Sequence, residues 1–280
     1  MRIDDCMGLV TDEKTTEEMN FIKILNYNIR YIKISKINSS GTIVLLHGIG
    51  ASAERWSELL PHIDNNHNII IPDIIGFGYS EKPLIEYSID LFMKFLDEFF
   101  NKLEIKNPVI IGSSFGGQLV IEYCLRNPDY FKKIILVSPA GTQVRSTFVL
   151  SQYIFSALYP TIDNAKRAFQ MMSNNNHHQI KDSLIKDFVN RMRLPNAKYA
   201  YISTLLALRR NNDLKDKLRE IKVPTLVVWG RYDATIPVNN IEYFKVNPFI
   251  RTCIMENCGH TPFVESPQEF YELVKDFMES

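Results

Sequence analysis

Two hydrophobic patterns alternate along the chain. Short continuous apolar runs are followed by longer segments whose apolar residues recur every three or four positions. Thr42 to Leu46, Ile69 to Pro72, Val109 to Ile111, Lys133 to Val137, Pro224 to Trp229 and Arg251 to Met255 are runs of the first kind. A strand covered on both faces needs no polar side, so each run predicts a buried strand of a parallel sheet. Phe92, Phe95, Leu96 and Phe99 share one face of a helix predicted over Ile89 to Leu103. Leu119, Val120, Tyr123 and Cys124 share the face of another, and Pro267 to Met278 predicts a closing helix. Phe21 to Leu25 and Ile29 to Ile34 alternate apolar and polar about Asn26-Tyr27-Asn28, which predicts an antiparallel hairpin with one wet face. Residues 1–20 are polar and acidic and predict a loosely held arm.

The alternation breaks once. Residues 143–212 read as helix almost throughout, with many aromatics and methionines. The expected organisation is therefore a core of residues 21–142 and 213–280 with a helical insertion of residues 143–212. Repeated strand-loop-helix units imply a mostly parallel, doubly wound α/β sheet with helices on both faces.

Ligands of such sheets bind beyond the carboxyl ends of the strands. His47-Gly48, Asp73, Ser114, Asp233 and His260 all follow predicted strand ends. The sharpest feature is Gly112-Ser113-Ser114-Phe115-Gly116, set between a strand and a helix. A serine at the tip of such a turn is forced into a strained backbone, and glycines on either side avoid collision with the crossing chain. The turn exposes the Ser114 hydroxyl, sets a helix N-terminus beneath it and leaves the Phe115 N–H free.

Charge and composition narrow the chemistry. The 280 residues carry 32 Lys and Arg against 32 Asp and Glu, so no global field draws nucleic acid or acidic membranes. No apolar run approaches the length of a membrane span, and the acidic N-terminus lacks the apolar core of a secretory signal. Cys6, Cys124, Cys253 and Cys258 form no C-x-x-C pair, and His177-His178 stand alone, so no metal site is expected. These features predict reduced thiols and a cytoplasmic protein.

Five motifs in order resemble the α/β-hydrolase superfamily, in its cap-bearing serine hydrolase form. They are HGIGAS at 47–52, DIIGFGYS at 73–80, GSSFGG at 112–117, GRYDATIP at 230–237 and CGHTPFVESP at 258–267. The resemblance implies a nucleophile, acid and base in the order Ser114, Asp233 and His260. It implies an oxyanion hole from the backbone N–H groups of Ile49 and Phe115, a structural role for His47, and no cofactor. Serine at the nucleophile position argues against the dehalogenase and epoxide hydrolase branches, which use aspartate there.

The resemblance also makes residues 143–212 a cap over the site. Its aromatic and methionine side chains favour a small-molecule substrate with an apolar acyl or alcohol group. Ten Lys and Arg in this segment face three Asp, a net charge of +7, so an anionic substrate is one expectation and a solvated basic surface the other. Gly48, Ser113, Arg191, Arg193 and Thr261 are the candidate pocket residues. The implied activity is hydrolysis of a carboxylic ester or thioester through an acyl-serine. The alternatives are a carbon–carbon hydrolase of ring-fission (meta-cleavage) products and a ligand receptor on the same fold. The elbow Gly112-Ser113-Ser114-Phe115-Gly116-Gly117, Ser138-Pro139-Ala140-Gly141 and a cap arginine, Arg191 or Arg193, suit the carbon–carbon hydrolase. Thr261, where that family usually has tryptophan, and Ser113, where it often has asparagine, do not.

Overall fold

The computed structural model describes residues 15–64, 66–142, 146–174, 180–210 and 213–280. Among them, eight strands form one sheet: β1 (Thr15–Ile24), β2 (Tyr27–Lys36), β3 (Thr42–Leu46), β4 (Asn68–Pro72), β5 (Val109–Ser113), β6 (Lys133–Val137), β7 (Thr225–Gly230) and β8 (Ile250–Met255). Their order across the sheet is β1-β2-β4-β3-β5-β6-β7-β8. The β1–β2 and β2–β4 pairs are antiparallel and all the others parallel.

The apolar runs are continuous because both faces of the sheet are covered. Val44, Leu46, Ile110, Ile134, Leu136 and Val227 join one buried cluster, and their neighbours Ile43, Leu45, Ile111, Ile135, Val137 and Val228 join another. Helices α1 (Ile89–Lys102) and α2 (Phe115–Arg126) supply the first cluster, and α8 (Pro267–Glu279) the second. Ser88 caps α1 by accepting from Leu91 N–H at 3.2 Å. Phe92, Phe95, Leu96 and Phe99 on its inner face are fully buried, a stripe contributing about 1.5–3 kcal/mol per side chain.

One local expectation changes. The hairpin begins at Thr15, so residues 15–20 are strand rather than arm. Pairing explains the extension: Glu18 stands opposite Lys33 and Met19 opposite Ile32, and an edge strand tolerates one wet face. Residues 1–14 lie outside the described residues. Between β3 and β4 the chain forms two short 3₁₀ turns, Ala53–Trp56 and Leu60–His62, with Pro61 in the second.

Between β6 and β7 run helices α3 (Phe148–Leu158), α4 (Ile162–Met172), α5 (Asp182–Met192) and α6 (Ala197–Arg210). Thr147 and Thr161 cap α3 and α4 through their hydroxyls, at 3.1 Å and 3.2 Å. The short helix α7 (Pro262–Glu265) precedes α8.

Candidate active site

The chain winds one way from β3 to β4, then reverses to β5 and onward to β8. That reversal opens a crevice beyond the carboxyl ends of β3 and β5. β5 ends at Ser113 and α2 begins at Phe115, so Ser114 turns the chain in a single residue. It does so at φ 53° and ψ −116°, a conformation that costs about 1–3 kcal/mol unless its surroundings hold it. Three backbone bonds do so. Ser114 N–H donates to Val137 at 2.9 Å, while Gln118 and Ala140 N–H donate to the Ser114 carbonyl at 3.1 Å and 3.0 Å.

Close approach explains the glycine at 116. A Cβ there would stand 2.4 Å from the Leu46 carbonyl oxygen and 2.6 Å from that of His47. The first turn of α2 thus rests directly on the end of β3. The loop after β3 reaches the serine as well, since a Cβ on Gly48 would lie 3.3 Å from the Ser114 Cβ. The Phe115 ring packs in the core against Phe92, with centroids 5.0 Å apart, so only the backbone of Phe115 is available to the crevice.

His47 is buried and ties the loop together. Its Nδ1–H donates to the Gly48 carbonyl at 2.8 Å, and its Nε2 accepts from Ile74 N–H at 3.1 Å. Burial lowers its pKa, opposed in part by Asp73, in keeping with a neutral ring.

His260 follows β8, and its Nδ1 lies 2.7 Å from Asp233 Oδ2. Asp233 Oδ1 accepts from Thr235 and Ile236 N–H at 2.8 Å and 2.9 Å, so its carboxylate is held on both oxygens. A carboxylate can only accept, which puts the proton on Nδ1 and leaves Nε2 a free lone pair. Ser114 and His260 line one cavity, together with Gly48, Ile49, Ser113, Thr235 and Thr261.

Helices α3, α4 and α5 close this cavity with Leu150, Tyr153, Phe169, Met172, Leu184 and Phe188. They also hold its polar edge. Tyr153 Oη donates to the Ile49 carbonyl at 2.8 Å, Arg191 Nη1 to the Gly50 carbonyl at 2.8 Å, and His260 N–H to the Met172 carbonyl at 2.8 Å. Other aromatics of the segment point away: Phe148, Phe155 and Tyr159 are exposed.

Of the two arginines expected in the pocket, only Arg191 lines it. Its Nε meets Asp187 Oδ2 at 2.7 Å, and Asp187 accepts from Tyr79 Oη at 2.6 Å. Arg193 is exposed and donates to the Pro160 carbonyl at 2.9 Å. Two residues along a helix is about 200°, which turns it to the opposite side. Lys166, Arg167, Lys181, Lys186, Lys198 and Arg209 are also exposed, so most of the basic excess of this segment is a solvated face. Arg145, His177 and His178 lie outside the described residues, as does Cys6. Cys124 and Cys258 are buried free thiols whose pKa values burial pushes up to about 11, which suits packing groups.

Beneath the site lies a buried ionic network with no signature in the sequence. Arg30 Nη1 meets Asp73 Oδ2 at 2.9 Å and also pairs with Glu54. Asp73 further accepts from Ala53 and Tyr79 N–H, both at 2.7 Å. Burial opposes the Arg30 charge, but Asp73 and Glu54 outweigh it and raise its pKa. In the sequence, Arg30 reads as one more wet-face residue of a hairpin.

Residues 41–267 match the family described as alpha/beta hydrolase fold. The chain belongs to that family. This hydrolase is 24% identical over 259 residues to a 2-hydroxy-6-oxo-2,4-heptadienoate hydrolase of Pseudomonas putida, covering 86% of this chain and 90% of the relative. It is also 24% identical over 274 residues to a monoacylglycerol lipase of Xenopus laevis, covering 91% and 80%. A meta-cleavage product hydrolase of Pseudomonas fluorescens shares its fold at a TM-score of 0.83 and 22% identity, over 93% of this chain and 97% of the other. Among the described residues, no helix of the hydrolase is long and apolar enough to cross a membrane.

Proposed function

We propose that this hydrolase cleaves carboxylic esters, thioesters included, through an acyl intermediate on Ser114. One observation carries the reading: a strained serine shares a cavity with a histidine whose Nδ1 is held 2.7 Å from a buried carboxylate. In the proposed reaction Ser114 Oγ attacks the carbonyl carbon while His260 Nε2 takes the hydroxyl proton. Asp233 holds the imidazole tautomer and stabilises the imidazolium. The N–H groups of Ile49 and Phe115 receive the oxyanion. Collapse expels the alcohol or thiol, which takes the proton from His260. Water, deprotonated by His260, then releases the acid and restores Ser114.

In this proposal the helical segment of residues 143–212 is a cap. It supplies the apolar wall that suits an apolar acyl or alcohol group, and it braces the Ile49 and Gly50 carbonyls.

A second reading, carbon–carbon bond hydrolysis of a ring-fission product, draws support from the activity of the Pseudomonas putida relative and from Arg191 in the cavity lining. Thr261, directly after His260, ranks it second. The test is a panel of p-nitrophenyl esters, a thioester and a ring-fission dienol, run on the wild type and on Ser114→Ala. Ester turnover lost in Ser114→Ala supports the first reading. Dienol cleavage that outruns every ester moves the conclusion to the second. No turnover, with no fluorophosphonate labelling of Ser114, leaves a ligand receptor and refutes both.

A further inference from the structure

Three arginines stand around the crevice, Arg30 and Arg191 buried and Arg55 half-buried, and their charges are not matched alike. Arg30 has Asp73 and Glu54. Arg191 has Asp187 and the Gly50 carbonyl. Arg55, which follows the loop after β3 and lines the cavity, has no carboxylate within ion-pair distance among the described residues. Its Nη2 donates to Thr261 Oγ1 at 3.1 Å, and its Cζ stands 5.3 Å from the centre of the Phe169 ring. Its Nη1 is buried and has no hydrogen-bond partner among the described residues.

The nearest acids are already committed. Glu265 accepts from the N–H groups of Asn174 and Gly259 at 2.8 Å and of Thr261 at 3.1 Å. Glu58 pairs with Lys181 at 2.7 Å. Burial is the largest influence on the Arg55 pKa and lowers it, and Arg191 adds repulsion that Tyr153, Glu265 and Glu58 oppose. A guanidinium stays charged under these conditions. A buried guanidinium nitrogen with an unused donor is costly, and an arriving anion relieves that cost.

We infer that Arg55 is a specificity-determining residue that binds a carboxylate carried on the acyl part of the substrate, so that the preferred esters are half-esters of dicarboxylic acids. The inference rests on the ester-hydrolase reading for the reaction but not for the binding. Charge count selects the carboxylate. One uncompensated positive charge matches a monoanion, whereas a phosphate monoester would bring close to two negative charges. Geometry agrees, because Phe169 under the guanidinium and Thr261 at one end fix its plane, and a planar fork suits a planar carboxylate. Location gives the chain length its scale: Arg55 touches the residue next to His260, so acid and ester carbonyl are separated by a short chain. An apolar wall beside Arg55, including Phe169 and Met172, accommodates the methylenes between them.

The experiment compares mono-4-nitrophenyl adipate with 4-nitrophenyl 6-methylheptanoate, its neutral isostere. In the wild type the ratio of the two kcat/KM values should favour the half-ester by about 10-fold or more, the scale of a hydrogen bond to a charged group. Arg55→Met should cut that ratio roughly 10- to 100-fold, Arg55→Lys should fall between, and the exposed Arg193→Met should leave it unchanged. A wild-type ratio of one or below, or an unchanged ratio in Arg55→Met, overturns the inference. A binding measurement covers loss of folding or of turnover. Calorimetry on Ser114→Ala should show monomethyl adipate binding at least about 10-fold more tightly than methyl 6-methylheptanoate. Equal binding overturns the inference even if every ester is hydrolysed, in which case the ester-hydrolase reading stands alone. Tight anion binding without turnover of any ester would sink that reading instead and keep the role of Arg55.

Discussion

Gly116→Ala tests the junction on which the site is built. Helix propensity alone favours the change by about 1 kcal/mol, since Gly116 lies in the first turn of α2. Against that stands a new Cβ 2.4 Å from the Leu46 oxygen and 2.6 Å from the His47 oxygen, where ordinary contact begins near 3.4 Å. Both obstacles are backbone, so about 1 Å of movement must be found between α2 and the end of β3. Overpacking of this kind typically costs about 1–3 kcal/mol, which offsets or exceeds the propensity gain. Activity should suffer more than stability. The moving parts carry the Phe115 N–H on one side and the Gly48–Ile49 loop on the other. A misplacement of about 1 Å in a reacting constellation costs roughly 100-fold in rate. The assay is kcat/KM on a p-nitrophenyl ester, with the thermal midpoint and the rate of fluorophosphonate labelling measured in parallel. We expect a roughly 100-fold loss of kcat/KM, slower labelling of Ser114 and a thermal midpoint no higher than that of the wild type. Gly41→Ala, whose Cβ would meet only His67 Cδ2 at 3.7 Å, serves as the tolerant control. Activity within threefold of wild type together with a raised midpoint would refute the reasoning, because propensity would then have won.

Asp233→Asn should keep the circular dichroism of the wild type and lower kcat by about 10⁴-fold, because an amide cannot hold the imidazole in the same tautomer; near-normal rates would place the acid elsewhere. Arg30→Met leaves the buried Asp73 and the half-buried Glu54 without their cation and should cost about 3–5 kcal/mol in urea unfolding; a loss below about 1 kcal/mol would mean the network is solvated. Lys82 donates to the Gly78 and Ser80 carbonyls at 2.7 Å and 2.8 Å, and burial lowers its pKa from 10.5 to about 8. Between those values the unfolded chain holds a proton that the folded chain does not. The stability of the wild type relative to Lys82→Met should therefore rise as pH climbs from 8 to 10.5, by up to about 3 kcal/mol. A stability difference that does not change over that interval would contradict the burial of the amine.

The strands β3 to β8, helices α1, α2 and α8, and the turn at Ser114 were legible in the chain because each depends on a local pattern. A strand buried on both faces shows as an unbroken apolar run, an amphipathic helix as a period, and a one-residue turn between them as glycines about a serine. Motif order was enough to nominate Ser114, Asp233 and His260, since each follows the carboxyl end of a parallel strand, and those ends share one edge of the sheet. The full length of β1 was not legible, because Thr15 to Asn20 carry little apolar signal and are strand only through pairing with β2. Nor was the fate of the charges. Nothing in the sequence says which partner Arg30, Arg55, Arg191 or Arg193 will meet. The tertiary structure matches the first to Asp73, the third to Asp187, turns the last to solvent and leaves Arg55 without a carboxylate partner among the described residues. The contacts that decide this join residues far apart in sequence, Arg55 to Thr261 across 206 positions and Arg191 to Gly50 across 141. Periodicity reports which face of an element is apolar; which charge meets which partner is settled only when the elements pack.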